Sequence, residues 1–212
     1  MRKMLYSLLI MYCFQWSGYT QEYTFDQYYE YSQDDYIVFF FVNSADDSYV
    51  MFGNSTKDGI YGRIKDSKKQ VFHKYTLQNV NNDVVFTYDY STKFTNHRVS
   101  EEKKVDFKYT TIILDSTKTK LTVEKIKRRN QKKLGSFEAI YDNNNEFILS
   151  GNTYVFVDFH FFDARKKEFP KNRLPIYVRY DFGNGTIRTS NLKKRKKTNI
   201  KLSITKEQLK YN

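Results

Sequence analysis

The chain has 212 residues and a formal net charge of +12, from 36 Lys+Arg against 24 Asp+Glu, and 18% of its residues are aromatic. That length suits one all-β domain, and so many Tyr and Phe with only two prolines exclude a disordered, collagenous or coiled-coil chain. A single cysteine excludes a disulfide framework and a thiolate zinc site.

The chain opens on a leader pattern. Arg2 and Lys3 precede an uncharged, mostly apolar run over residues 4–14, too short to cross a bilayer and matched to the core of a secretory signal. Gly18 and Thr20 are small enough to flank a cut after Thr20. Residues 1–20 are therefore expected to be a signal peptide and 21–212 one β-rich domain, exported to the periplasm or secreted and not integral to a membrane. Cys13 lies inside the apolar run and follows Tyr12, where lipoprotein processing requires a small residue. Attachment of lipid at Cys13 stays open.

Tyr23, Phe25, Tyr29 and Tyr31 share one parity, which predicts a half-buried first strand. Residues 36–42, Tyr-Ile-Val-Phe-Phe-Phe-Val, are apolar on both faces and read as a central strand. A polar turn at 43–47 returns the chain at 48–52 as a hairpin. Short strands follow around 60–64, 71–77 and 84–90, and residues 91–104 read as a long loop or frayed edge. Strands at 105–114, 121–126 and 136–141 come next. A second densely aromatic strand is predicted at 154–162, where Val155, Val157, Phe159 and Phe161 form one apolar face expected to pack near 36–42.

Pro170 and Pro175 mark the basic stretch 163–175 as a surface excursion. Gly183-Asn184-Gly185 then predicts a hairpin turn between 176–182 and 186–189. The basic run Lys193, Lys194, Arg195, Lys196, Lys197 reads as a solvated connection to a last strand at 200–204. Thr205 and Gln208 have capping-box spacing, which predicts one final helical turn. About ten to twelve short strands in all predict an all-β, antiparallel domain, either a curved open sheet or half-barrel or a sandwich.

Chemistry-bearing motifs are absent: there is no HExxH, no GxSxG and no phosphate-binding glycine loop. His73, His97 and His160 stand apart in sequence. Asp158 and His160 fall on one face of a predicted strand, where a carboxylate can orient an imidazole, so a hydrolase using them is one alternative. The acidic turn at 142–146 lacks the glycine of a calcium loop, Phe147 standing in its place, and no metal or cofactor is expected. Nucleic acid is not expected either, because aromatics fall in the predicted strands and cations in the turns.

The leader, the aromatic first strand, the hairpin carrying Val42-Asn43-Ser44-Ala45-Asp46-Asp47-Ser48-Tyr49, and Lys132-Lys133-Leu134-Gly135 resemble a group of uncharacterised exported proteins of Bacteroidota. More distantly the strand order is similar to GLPGLI-type exported proteins. The resemblance implies an envelope protein with a sheet curved like the periplasmic lipoprotein carriers, and it transfers no catalytic residue. The expected function is non-enzymatic: a curved sheet that binds an apolar or lipid-like molecule through Phe39, Phe41, Phe156 and Phe159, with Lys193–Lys197 facing an anionic surface. An adhesion or structural β-sandwich is the alternative.

Overall fold

Alternating apolar residues need a covered face, and strands satisfy that need by pairing in long registered rows. A computed structural model describes residues 21–34, 36–81, 83–94, 105–143 and 174–209, and among these there is no helix. The leader, Cys13, His97 and the aromatic strand expected at 154–162 lie outside the described residues. The strands are β1 (Gln21–Gln33), β2 (Tyr36–Val42), β3 (Tyr49–Thr56), β4 (Gly59–Asp66), β5 (Val71–Val80) and β6 (Asp83–Lys93). They continue as β7 (Val105–Asp115), β8 (Lys118–Lys127), β9 (Lys133–Asp142), β10 (Leu174–Asp181) and β11 (Ile187–Ile204).

All eleven form one open antiparallel sheet in the order β6-β5-β4-β3-β2-β1-β11-β10-β9-β8-β7. Two meanders therefore grow outward from the central pair β1/β11, which joins the start of the domain to its end. Residues 36–42 take the interior position expected of them, between β1 and β3.

Register places Tyr28, Phe41, Met51, Ile64, His73 and Ser91 in one row across β1 to β6. This face is the main core. Tyr23, Phe25, Phe39, Phe41, Met51, Ile64 and Tyr75 are buried together in it. Beside that row Gly53 pairs with Gly62, and the ring of Phe39 fills the space that two side chains would take; a Cβ on Gly53 would meet the Tyr61 carbonyl oxygen at 2.0 Å and Phe39 Cζ at 2.4 Å.

Strand β1 turns over at its middle. Tyr23 and Phe25 belong to the main core, whereas Tyr29 and Tyr31, of the same parity, pack with Phe40, Val42, Val50 and Leu174 on the opposite face. The change falls where the β1/β11 register shifts, between Phe25 and Gln27, and β2 pairs with β1 only from Gln27 onward. A bulge bends its strand and increases local twist, so here it folds the first half of β1 across the ends of β3 to β5. Tyr23 stacks edge-on against Tyr49 at 5.0 Å, and Asp26 accepts the Ser44 amide at 2.8 Å to fix the turn. A third cluster, Leu121, Val123, Phe137, Ala139, Tyr141, Val178 and Tyr180, lies on β8 to β10.

Three expectations are corrected. Lys193–Lys197 is not a connection: it lies inside β11, where Lys194 to Lys197 pair with Glu30 to Gln27 of β1 and Lys193 falls at a register shift. These five residues are exposed, and past Asn191 β11 has no second neighbour among the described strands. Lysine is well suited to such an edge because its charge opposes pairing with another chain. Pro175 is likewise not in a surface excursion but is the second residue of β10, at the point where the β10/β9 register shifts, and β11 pairing begins only at Tyr177. The missing N–H therefore breaks no ladder with β11. At the end of β11 the capping-box contact forms, Gln208 Oε1 accepting the Thr205 amide at 2.9 Å, but residues 206–209 make a turn and not the helical turn expected.

Candidate functional site

The face opposite the main core carries a concavity. Tyr31 and Gln33 of β1, Val38 and Phe40 of β2 and Phe52 of β3 line one side of a groove of about 200 Å³. Val178 and Tyr180 of β10, with Phe182, Arg188 and Ser190, line the other. The register explains the convergence, since Gln33 pairs with Ser190, Ser190 with Val178, and Arg188 with Tyr180. Tyr31 anchors the floor by donating its hydroxyl to the Pro175 carbonyl at 2.6 Å, and burial holds that phenol well above its usual pKa. Arg188 sits 5.5 Å over the Phe182 ring and pairs with no carboxylate among the described residues.

The groove is continuous with a basic, aromatic surface. A second row on this face runs Tyr29, Phe40, Phe52, Arg63, Lys74, Tyr90 across β1 to β6. Arg63 and Lys74, with Phe72, Tyr90 and Thr92, form a shallow depression of about 90 Å³. Lys74 Nζ lies 5.6 Å from the Tyr61 ring and 5.3 Å from that of Tyr90. Neither cation is paired with a carboxylate among the described residues. Asp89 of β6 accepts a hydrogen bond from Thr76 at 3.0 Å.

Of the residues singled out in the sequence, Phe39 and Phe41 are buried in the main core, and their neighbour Phe40, itself only 6% exposed, lies on the opposite face and lines the groove. Phe156, Phe159, Asp158 and His160 lie outside the described residues.

His73 is not isolated. Its Nδ1 is 2.6 Å from Ser91 Oγ and its Nε2 is 2.9 Å from the Tyr23 hydroxyl, which donates to Asp66 Oδ2 at 2.9 Å. A hydroxyl, an imidazole and a carboxylate in this order resemble a nucleophile relay, but His73 and Ser91 are 0% exposed, so no substrate reaches them. Burial drives the His73 pKa down to about 4, against the pull of the Asp66 charge. The signal in the sequence was the alternation Val71, His73, Tyr75, Leu77, which places this imidazole on a buried face.

No protein-family model matches the chain, and no curated protein or solved structure matches it.

Proposed function

We propose that this is a non-enzymatic, exported envelope protein that binds an anionic amphiphile on the face opposite its main core. The observation that carries the reading is the registered row from Phe40 and Phe52 to Arg63 and Lys74, which sets an apolar groove beside two cations with no acidic partner among the described residues. An apolar groove with a few convergent polar groups is the usual form of a small-molecule site. The apolar part of the ligand lies against Phe40, Phe52 and Val178, and its anionic group is held by Arg63 and Lys74 or by Arg188 at the other lip. The volume of about 200 Å³ corresponds to roughly seven water molecules, so the groove takes one short chain or the end of a longer one. The exposed Lys193–Lys197 run supports approach to an anionic surface, worth about 1 kcal/mol per cation near a charged membrane.

The reading is tested by titrating the protein with dodecanoate and with dodecyltrimethylammonium, following groove resonances by NMR. Dodecanoate is expected to bind at least about tenfold more tightly, and Phe52→Glu is expected to abolish its binding, since a buried carboxylate against an apolar chain costs several kcal/mol. Equal affinity for the two head groups, or binding that ignores Phe52→Glu in a folded variant, overturns it. A second reading, an adhesion or structural module, is favoured by the exposed tip of edge strand β7, where Ile112, Ile113 and Leu114 are 50%, 77% and 48% accessible.

A further inference from the structure

Side chains directly opposite each other on neighbouring strands have Cβ atoms about 5 Å apart, and like charges placed there oppose pairing. The registered pairs of this sheet respect that rule almost throughout: Lys108 faces Glu124, Arg179 faces Glu138 and Lys194 faces Glu30. Among the described strands one pair breaks it. Arg63 of β4 stands opposite Lys74 of β5. The acids on these strands are engaged elsewhere, Asp66 accepting from Tyr23 at 2.9 Å and Asp89 of β6 from Thr76 at 3.0 Å. A local rule broken with no compensation inside the protein marks a functional position. The two cations share their depression with Phe72, Tyr90 and Thr92, and Phe72 packs against Phe94 at 4.5 Å. Lys65, two residues along β4 and so on the same face as Arg63, adds positive charge 5.5 Å over the Phe94 ring.

We propose that the Arg63–Lys74 pair is a subsite for a dianionic phosphate monoester, so that the head group of the amphiphile is a terminal phosphate seated here and not at Arg188. The inference rests on the reading that the groove takes an anionic amphiphile, and it names the head group. A guanidinium offers paired donors that match two oxygens of one phosphate, the ammonium adds a point charge, and the Thr92 hydroxyl adds a donor. A carboxylate or a sulfate ester carries one negative charge and leaves one cation of the pair uncompensated. A phosphate monoester carries roughly two near pH 7.5 and neutralises both. Phe52 faces Arg63 across β3 and β4 and is itself opposite Phe40, so a chain leaving the phosphate runs along the row into the groove. Arg188, by contrast, is a single cation opposite Tyr180. The site is faced by Phe52 from β3 and by Tyr90 and Thr92 from β6, so among the described residues no group that titrates between pH 5.0 and 7.5 faces it.

The test compares octyl phosphate, octyl sulfate and inorganic phosphate as ligands of the 15N-labelled protein, below the micelle concentrations of the first two, with Kd read by NMR at pH 7.5 and 5.0. Octyl phosphate is expected to bind at least about fivefold more tightly than octyl sulfate at pH 7.5, the factor that one further charge gains beside one cation in water. The ratio should fall toward one at pH 5.0, where the phosphate ester has taken up its second proton and both ligands are monoanions. Arg63→Gln and Lys74→Gln should each abolish the preference, with dispersed amide spectra reporting that the variants are folded. Lys127→Gln, which removes the same charge from β8 near the other end of the sheet, should keep it. Equal affinity for the two octyl esters at pH 7.5, a preference that survives both Arg63→Gln and Lys74→Gln, or one lost equally in Lys127→Gln overturns the proposal and leaves the amphiphile groove standing. Inorganic phosphate that binds as tightly as octyl phosphate, with the same dependence on Lys74, overturns the amphiphile reading instead.

Discussion

At the scale of single residues, tyrosines are buried on both faces of the sheet, and a buried phenol stabilises only when its hydroxyl finds a partner. Most of these hydroxyls do: Tyr23 reaches Asp66, Tyr31 reaches Pro175, and Tyr49 donates to the Thr24 carbonyl at 3.0 Å. Tyr75 does not. Its hydroxyl is buried with no hydrogen-bond partner among the described residues, and burial pushes its pKa well up. The ring is still useful, since it meets Tyr88 edge-on at 5.7 Å, a contact that phenylalanine makes equally well. Removing an unsatisfied oxygen relieves a desolvation cost, so Tyr75→Phe should raise stability by about 1 kcal/mol. The urea midpoint at fixed m-value reads it. A loss of stability would mean that the hydroxyl has a partner, such as ordered water.

At the scale of elements, the glycine pair in β3 and β4 is a packing device rather than a turn. Gly53 leaves its face open so that Phe39 can lie across the sheet, and any Cβ there collides with backbone as well as with the ring. Gly53→Ala should therefore cost at least about 2 kcal/mol, despite the gain in strand propensity that alanine brings elsewhere. Thermal or urea unfolding checks the value, and a cost below about half a kcal/mol would mean that β3 and β4 separate easily at this point. Gly62, where a Cβ would meet only the flexible ends of Leu77 and Met51 at 3.1 and 3.2 Å, should tolerate alanine better. These elements also show what was legible beforehand. Strands with a hydrophobic period of two, such as 71–77, and the turns between them could be read in place. So could residues 36–42, but an apolar run on both sides does not say which side is sealed, and Phe39 and Phe41 went to the core while Phe40 went to the groove. The basic centre of β11 was illegible for a different reason. Lys193–Lys197 forms a strand because β1 offers a ladder, not because any face of it is buried, and periodicity reports burial alone. The groove joins β1 to β3 with β10 and Arg188, and the His73 network joins β1, β4, β5 and β6; both depend on long-range register that no local pattern carries.

For the molecule as a whole, that register has one costly step. Every neighbour pair in the sheet except one links strands consecutive in the chain, and the exception, β1 with β11, brings together the two ends of the domain. Closing a long loop costs entropy before the contacts it permits are made, so hairpins of the two meanders should form first and the central pair last. Substitutions that weaken each region distinguish the order. Ile204 is fully buried at the β11 end and pairs with Gln21, whereas Val50 is buried in the local β2/β3 hairpin and pairs with Val42. Ile204→Val should cost about 1 kcal/mol and Val50→Ala somewhat more, both large enough for a kinetic reading. If β1/β11 closes last, Ile204→Val speeds unfolding and leaves the folding rate nearly unchanged, a φ-value below about 0.3, while Val50→Ala slows folding. A φ-value near one at Ile204 would reverse the order and make the central pair the nucleus. The distinction also bears on the hydrogen-bond network around His73. The Tyr23–Asp66 and Tyr88–Gln208 contacts tie the bent start of β1 and the turn after β11 to the N-terminal meander. A late-closing β1/β11 pair would place those ties among the last interactions made, where stabilising them slows unfolding most.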